Sequence, residues 1–382
     1  MHAPGEKCIC PLAFYHGIEY TDSRGARIGT MDLWRRKNMR CFEGFQKGVN
    51  LGGWISQFAK YDREHFASFI TEADIAYIAG LGFDHVRVPV DYNVLEDEAG
   101  NVLEEGFDYL RSCFRWCRTH GLNMLIDLHE CYGYSFDPLK KDMDRSRFFY
   151  DPALQQRFLN LWKRIAREFK DYPDQVAFEP LNEVVLWEVS DAWNQLVREY
   201  IRTIRSIAPR AWIVVGGVCY NSVMSVKLLQ KPVDDRIVYN FHCYEPMIFT
   251  HQGAYWMEQF PSDYRITYPQ PLEVYREETR RVLGEEGPVF LPQVTGMGPE
   301  FFEIIFKAAL DAAEENGAPL YCGEYGVIDL ADNPSKIRWL KDIHTAFAKF
   351  HIGHALWNYK EKDFGLVDER FAQVKDEFIA VI

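Results

Sequence analysis

Apolar residues along this chain recur in two alternating patterns. Short runs rich in β-favouring residues, such as HVRVPV at 85–90 and RIVYNFH at 236–242, alternate with segments whose apolar positions recur at helical spacing. Runs this apolar are typical of strands that are buried on both faces, as in parallel sheets. The pattern therefore predicts an α/β fold in which each strand is followed by a helix.

Eight such strand–helix units can be counted, which fits a closed (β/α)8 TIM barrel better than an open sheet. An open sheet would also need a glycine loop for phosphate after its first strand, and GVNLGGWIS lacks the GxGxxG spacing. The predicted strands lie at about 46–51, 85–90, 122–129, 176–184, 211–217, 236–242, 319–326 and 351–359. The predicted helices lie at about 72–79, 109–119, 152–169, 191–207, 222–229, 300–315, 335–350 and 370–382.

No linker or composition change divides the chain, so we expect residues 1–382 to form a single domain. Residues 1–42 precede the first core strand as an N-terminal extension, and the segment at 14–27 has the pattern of a hairpin. A long insertion, from Cys243 to about Gln293, follows the sixth strand.

Polar side chains stand where the predicted strands end, which is where a TIM barrel carries its active site. Each one alone has a structural explanation, such as a paired guanidinium or a core imidazole. Together they predict an active site. The set comprises Arg87, His129, Asn182, Glu183, His242, Tyr244, Glu324 and Trp357.

The two glutamates of this set fit the chemistry of a retaining glycosidase. Glu183 follows the fourth strand, and Glu324 lies in the seventh strand between two glycines of PLYCGEYG. Retention needs one protonated carboxyl for the leaving oxygen and one ionised carboxyl for the anomeric carbon, about 5–5.5 Å apart. Arg87 and Tyr244 are suited to keep Glu324 ionised, which leaves the proton to Glu183.

The chain resembles glycoside hydrolase family 5, a family of barrel glycosidases. The resemblance extends from about Gly48 to Phe364. It rests on eight residues in six motifs: Arg87 in HVRVPV, His129 in DLHE, Asn182 and Glu183 in PLNE, His242 and Tyr244 in FHCY, Glu324 in GEYG, and Trp357 in ALWNY. It implies that Glu183 is the acid/base, that Glu324 is the nucleophile, and that the other six residues bind substrate or tune the nucleophile.

Three further features bear on the site. Glu179 shares a strand face with Glu183, and we expect it to be buried and paired with Arg87, since a bare carboxylate inside the barrel would be costly. Glu130, directly after His129, is either a sugar ligand or a loop acid. The insertion carries aromatic residues, Trp256 among them, at a density typical of a sugar-binding wall. The others there are Phe249, His251, Tyr255 and Phe260, and more aromatic residues follow other strands: Trp54, Tyr132, Tyr134 and Trp187.

The net charge of −13 argues against polyanionic partners, because nucleic acid and anionic membranes repel an acidic protein that has no concentrated basic run. No window approaches the roughly 20 apolar residues of a membrane span. The start MHAPGEKCIC lacks a signal-peptide pattern, and the nine cysteines are odd in number and scattered. These features predict a reducing, cytoplasmic location, with a secreted protein as the alternative if an export signal has been removed.

The expected partner is a β-linked carbohydrate, either glucan or gluco-oligosaccharide, as for an endoglucanase. A β-mannanase, a β-mannosidase or another exo-acting glycosidase of the same family is the alternative. A metal-dependent barrel hydrolase could use the histidines and glutamates as ligands, but GVNLGG has no His-x-His pair, so we expect no metal and no cofactor. A non-catalytic sugar-binding barrel would normally lack one of the two acids. The oligomeric state cannot be read from the pattern.

Overall fold

The computed structural model describes residues 39–284 and 287–381. In these residues eight parallel strands follow one another around a closed barrel, in which β8 pairs back with β1. The predicted (β/α)8 fold is confirmed. The strands are β1 (Lys47–Asn50), β2 (His85–Asp91), β3 (Asn123–Glu130), β4 (Val176–Glu179), β5 (Trp212–Gly216), β6 (Ile237–Cys243), β7 (Leu320–Tyr325) and β8 (Gly353–Leu356). The hairpin predicted at 14–27 lies outside the described residues.

Helices surround the barrel and cover its outer face. They are α1 (Arg63–Ser68), α2 (Glu72–Gly80), α3 (Tyr92–Leu95), α4 (Glu104–His120), α5 (Pro152–Phe169), α6 (Ser190–Arg205), α7 (Met247–Thr250), α8 (Leu272–Val282), α9 (Pro299–Asn316), α10 (Asn333–Phe350), α11 (Glu369–Ala372) and α12 (Lys375–Ile379). Short 3₁₀ helices lie at Arg147–Phe149, Trp187–Val189, Val223–Leu228 and Pro288–Phe290.

The long helices begin where the sequence supplies caps. Before α5, the Asp151 carboxylate accepts a hydrogen bond from the Ala153 amide, and Pro152 occupies the first turn. Before α10, Asp332 accepts from the Ser335 amide in the same way. Such caps satisfy amides that have no partner within the helix, so they fix where each helix starts.

Two predicted helices differ from the structure. The segment predicted at 222–229 forms a 3₁₀ helix, Val223–Leu228, because it is short and contains valine and serine, which favour the α-helix weakly. The closing helix predicted at 370–382 is divided into α11 and α12, because the chain leaves helical geometry at Val374.

The fourth strand is shorter than predicted. The sequence indicated a strand through residue 184, but β4 ends at Glu179. Pro180 follows at once, and a proline has no amide to donate to a neighbouring strand. Asn182 and Glu183 therefore lie beyond the strand.

The inside of the barrel is filled at its N-terminal end by a buried apolar cluster. Phe42 and Phe45, which precede β1, stack with ring centroids 4.3 Å apart and close this end. The other members come from the strands: Leu125, Ala177, Trp212, Val214, Val238, Tyr321 and Ala355. The C-terminal end of the barrel is left for polar side chains.

None of the helices in the described part of the chain has the length and apolar character needed to cross a membrane.

Candidate active site at the C-terminal end of the barrel

The segment after β4 is held by contacts from β3 and the loop behind it. The Tyr134 hydroxyl donates to the Glu183 carbonyl at 2.6 Å and accepts from the Val185 amide at 2.9 Å. The Asn182 amide donates to the Leu128 carbonyl at 3.2 Å. Both Asn182 and Glu183 are buried. The chain bends at Pro180 and Asn182, and these contacts hold the irregular segment beyond the strand in place.

Arg87 links the residues of the site. Its guanidinium is fully buried and donates two hydrogen bonds to Glu179, from Nε to Oε2 at 2.7 Å and from Nη2 to Oε1 at 3.0 Å. It also donates to Asn182 Oδ1 at 2.8 Å and to Glu324 Oε1 at 2.8 Å. The predicted pairing of Glu179 with Arg87 is confirmed. Two planar groups joined by parallel bonds fix each other's orientation.

The carboxyl groups of Glu183 and Glu324 share one site. One oxygen from each, together with a ring nitrogen of His242, lie within 4.8 Å of one another. His242 Nδ1 is 2.8 Å from Glu183 Oε1. Glu324 Oε2 accepts a 2.9 Å hydrogen bond from the Tyr244 hydroxyl. The structure therefore brings together both glutamates and the residues predicted to tune them.

The two carboxyl groups have different surroundings. Burial raises the pKa of Glu183 well above its usual value of 4.5, and the negative charge of Glu324 raises it further. Burial also raises the pKa of Glu324, but the Arg87 charge and the Tyr244 hydrogen bond oppose that rise. Glu183 is thus the better holder of a proton and Glu324 the better anion.

The two histidines of the site are neutral. Burial lowers the pKa of His129 to about 3, and burial with the nearby Arg87 charge lowers the pKa of His242 well below 6.5. His129 Nδ1 lies 2.6 Å from Asp127 Oδ2, so the ring donates from this nitrogen. Its Nε2 is then an acceptor directed toward Asn182 Nδ2, 3.5 Å away.

Aromatic side chains lie next to the residues of the site. Trp357 stacks parallel to His129 with centroids 5.8 Å apart. Trp256 is half-buried and contacts Tyr255, which is 75% exposed, in an edge-to-face arrangement at 4.9 Å. The structure places Trp256 and Tyr244 on one wall with His251 and Phe364.

Several residues considered for sugar binding have contacts within the protein. Glu130 binds Ser135 and Lys140, which are in the loop after β3. Other aromatic residues, including the Tyr134 described above, are almost fully buried and pack in the core: Trp54, Phe249 and Phe260.

Three buried polar residues belong to the site although the sequence analysis did not select them: Asn50, Asp127 and Asn240. Asp127 precedes His129 by two residues and Asn240 precedes His242 by two, so each pair shares a strand face. A polar residue two positions before a site residue, inside an apolar strand, is the signal that would have identified the last two.

Glu183, His242 and Glu324 are also the only described group of three side chains whose donor atoms are close enough to hold a metal ion. Arg87 Nη1 already lies 2.8 Å from Glu324 Oε1, so a metal ion would have to compete with the guanidinium for this carboxylate.

The comparison with protein families gives a match over residues 44–363 to the model described as Cellulase (glycosyl hydrolase family 5). The chain belongs to this family. It is therefore a glycoside hydrolase of the cellulase type, and a carbohydrate is its substrate. The resemblance seen in the sequence motifs is confirmed, and so is the assignment as an enzyme.

Named relatives match most of this chain and most of their own length. Endoglucanase C of Acetivibrio thermocellus is 39% identical over 343 residues, which cover 88% of this chain and 98% of the relative. Cellodextrinase A of Ruminococcus flavefaciens is 40% identical over 309 residues, covering 81% of this chain and 84% of the relative. Thermotoga maritima Cel5A, solved with mannotriose, shares the fold with a TM-score of 0.68 at 24% identity, covering 90% of this chain and all of that one.

Proposed function

We propose that this chain is a retaining glycosidase that cleaves β-1,4-linked glucan or gluco-oligosaccharides by double displacement. Glu324 attacks the anomeric carbon while Glu183 transfers its proton to the departing glycosidic oxygen. Glu183, now ionised, then takes a proton from water. That water releases the sugar from Glu324 and restores both carboxyl groups.

The observation that supports this mechanism is the closeness of two carboxyl groups in unlike surroundings. Oxygens of Glu183 and Glu324 lie within 4.8 Å of each other, whereas inverting enzymes keep their carboxyl groups roughly 6.5–9.5 Å apart to admit a water. Of the two glutamates, Glu324 is the one that accepts hydrogen bonds from Arg87 and Tyr244, which stabilise its negative charge. The pair therefore divides into a nucleophile and a proton donor.

Two features support a β-glucan substrate. The relatives that match over most of their length are named as an endoglucanase and a cellodextrinase. Tyr244, which contacts Glu324, shares a wall with the half-buried Trp256, and Trp256 contacts the exposed Tyr255. The flat apolar surface of such rings suits the faces of pyranose rings.

Covalent labelling tests the assignment of the nucleophile. A 2-deoxy-2-fluoro-β-cellobioside with a good leaving group should inactivate the enzyme and add one disaccharide mass to the peptide that contains Glu324. Glu324→Gln is the matched control and should remain unlabelled. A label on any other residue, or inversion in the first product seen by NMR, would overturn the proposal.

Leaving-group dependence tests the assignment of the acid. Glu183→Gln should lower kcat/KM for cello-oligosaccharides by about 10²–10⁴-fold, because their poor leaving groups need a proton. Dinitrophenyl β-cellobioside, whose leaving group needs no proton, should lose far less in its glycosylation step. Equal losses on both substrates would contradict the role. The same assay with manno-oligosaccharides decides between the glucan and mannan substrates.

A further inference from the structure

Strand β7 contains one residue that neither neighbouring strand accommodates. Against β6, Phe241 pairs with Cys322 and the next residue, His242, pairs with Glu324, so Gly323 is passed over. Against β8 the register also shifts between Cys322 and Tyr325. An extra residue of this kind bends a strand locally and redirects the side chains beside it. Here the redirected side chain is that of Glu324.

The backbone groups of Gly323 are bound by two side chains on opposite sides. The Gly323 amide donates to Asn240 Oδ1 at 2.9 Å, and the Gly323 carbonyl accepts from Asn50 Nδ2 at 3.0 Å. Asn50 and Asn240 have no exposed surface. Each peptide group released from the sheet is therefore satisfied inside the barrel, as a buried backbone group must be.

The same two asparagines are joined to the ion pair below the site. Asn240 Nδ2 donates to Glu179 Oε1 at 2.8 Å, and Asn50 Oδ1 accepts from Arg87 Nη1 at 2.9 Å. Arg87 Nη1 also donates to Glu324 Oε1 at 2.8 Å. Hydrogen bonds through Asn50 and Arg87 thus connect the Gly323 carbonyl to the Glu324 carboxylate. Glu324 itself closes the ring, because its backbone is joined to Gly323.

We propose that Asn50 and Asn240 are positioning residues that set the place of the Glu324 carboxylate by holding the Gly323 peptide. Each uses its amide as donor and acceptor at once, which an apolar or singly polar side chain cannot do. Glycine is required between them, since a Cβ at residue 323 would lie 2.8 Å from Asn240 Oδ1. This inference rests on the proposed role of Glu324 as nucleophile.

The test measures covalent labelling by the 2-fluoro-cellobioside in Asn240→Ala. The first-order rate of inactivation at saturating reagent should fall by about 100-fold, the scale of loss expected for a reacting group displaced by 1 Å. The reagent concentration that gives half the maximal rate and the Kd for cellobiose should change less than about threefold, because both asparagines are fully buried and present no surface to a ligand. An unchanged rate of inactivation would overturn the proposal.

Asn194→Ala is the matched control. Asn194 is also buried and also binds backbone on both sides, accepting from the Gln230 amide at 3.2 Å and donating to the Leu228 carbonyl at 2.9 Å, but it lies on α6. Asn194→Ala should be less stable than wild type but should be labelled at the wild-type rate. A loss of labelling equal to that of Asn240→Ala would show a general effect of buried amides and would refute the positioning role.

Gly323→Ala provides a second variant in case Asn240→Ala fails to fold. It keeps both asparagines but pushes Asn240 aside, so the same slow labelling with unchanged cellobiose affinity is expected. Wild-type labelling separates the two proposals. If wild type is not labelled at Glu324, the proposed function fails. If wild type is labelled and a folded variant reacts at the wild-type rate, only the positioning role fails.

Discussion

At the scale of single residues, the division of work between two identical side chains depends on what surrounds each one. Glu183 and Glu324 are both buried, and burial raises both pKa values. Of the two, Glu324 is the one that accepts hydrogen bonds from the Arg87 guanidinium and the Tyr244 hydroxyl. The same amino acid therefore serves as a proton donor in one position and as an anion in the other.

Removing the Tyr244 hydroxyl should shift the acidic limb of the pH profile of kcat/KM. In Tyr244→Phe, Glu324 loses a hydrogen bond that lowers its pKa, so that pKa rises. Since the nucleophile must be ionised, the acidic limb of kcat/KM should shift to higher pH by about one unit, with activity lost first at low pH.

The control for this prediction is Tyr359→Phe. The Tyr359 hydroxyl donates to another carboxylate, Asp74 Oδ1, at 3.0 Å, away from the catalytic pair. Tyr359→Phe should leave the acidic limb of kcat/KM at its wild-type pH. The role of Tyr244 would be contradicted if its variant kept the wild-type profile, or if both variants shifted it equally.

At the scale of elements, the loops and helices around the barrel are positioned by close backbone contacts as much as by apolar packing. Gly106 near the start of α4 meets the short helix α3, and a Cβ there would lie 1.9 Å from the Val94 carbonyl oxygen. Only glycine permits this approach, although glycine is a poor residue for the inside of a helix. The contact sets the position of α4 relative to the end of β2.

We expect Gly106→Ala to destabilise the protein by about 1–3 kcal/mol, because the Val94 backbone must move and this cost exceeds the gain in helix propensity. Gly80→Ala is the matched control: Gly80 is exposed at the end of α2 with open space around its Cβ position. That variant should be neutral or gain up to about 1 kcal/mol. The free energy of unfolding of both variants is measured in urea. Equal changes would contradict the proposed effect of the contact between Gly106 and Val94.

At the scale of the whole molecule, the apolar cluster inside the barrel and the residues of the candidate active site lie at opposite ends of the barrel. The N-terminal end is filled by apolar side chains and closed by Phe42 and Phe45, whereas the C-terminal end holds the buried polar network around Arg87. Burial of apolar surface at one end contributes to the free energy that offsets the cost of burying charge at the other.

Phe42→Ala should therefore lower stability without lowering turnover. Phe42 is fully buried against Phe45, Trp212 and Tyr321, and loss of such a ring costs about 3–5 kcal/mol. At a temperature where the variant is still folded, kcat on cello-oligosaccharides should stay within about twofold of wild type. Tyr150→Ala, at a site that is 64% exposed, should change stability by less than about 0.5 kcal/mol. A large fall in kcat for Phe42→Ala would show that the two ends are coupled.

The sequence by itself determined the architecture and the principal site residues. Strand and helix periodicities report which side chains are buried locally, so eight units and a barrel follow from the pattern. Glu183 and Glu324 could be recognised because each lies in a short motif at or just beyond the C-terminal end of a strand. The pairing of Glu179 with Arg87 also followed, because a carboxylate inside a barrel needs a partner.

Only the tertiary structure decided how the buried amides connect to the site. The hydrogen bonds of Asn50 and Asn240 to Gly323 join strands from both ends of the chain. The alternation of apolar and polar residues along a strand shows that a side chain faces the inside of the barrel. It does not show which of the inward-facing side chains lie at the same height along the barrel axis. That is set by the stagger of the closed barrel and by the extra residue in β7, and neither leaves a periodic signal in the sequence.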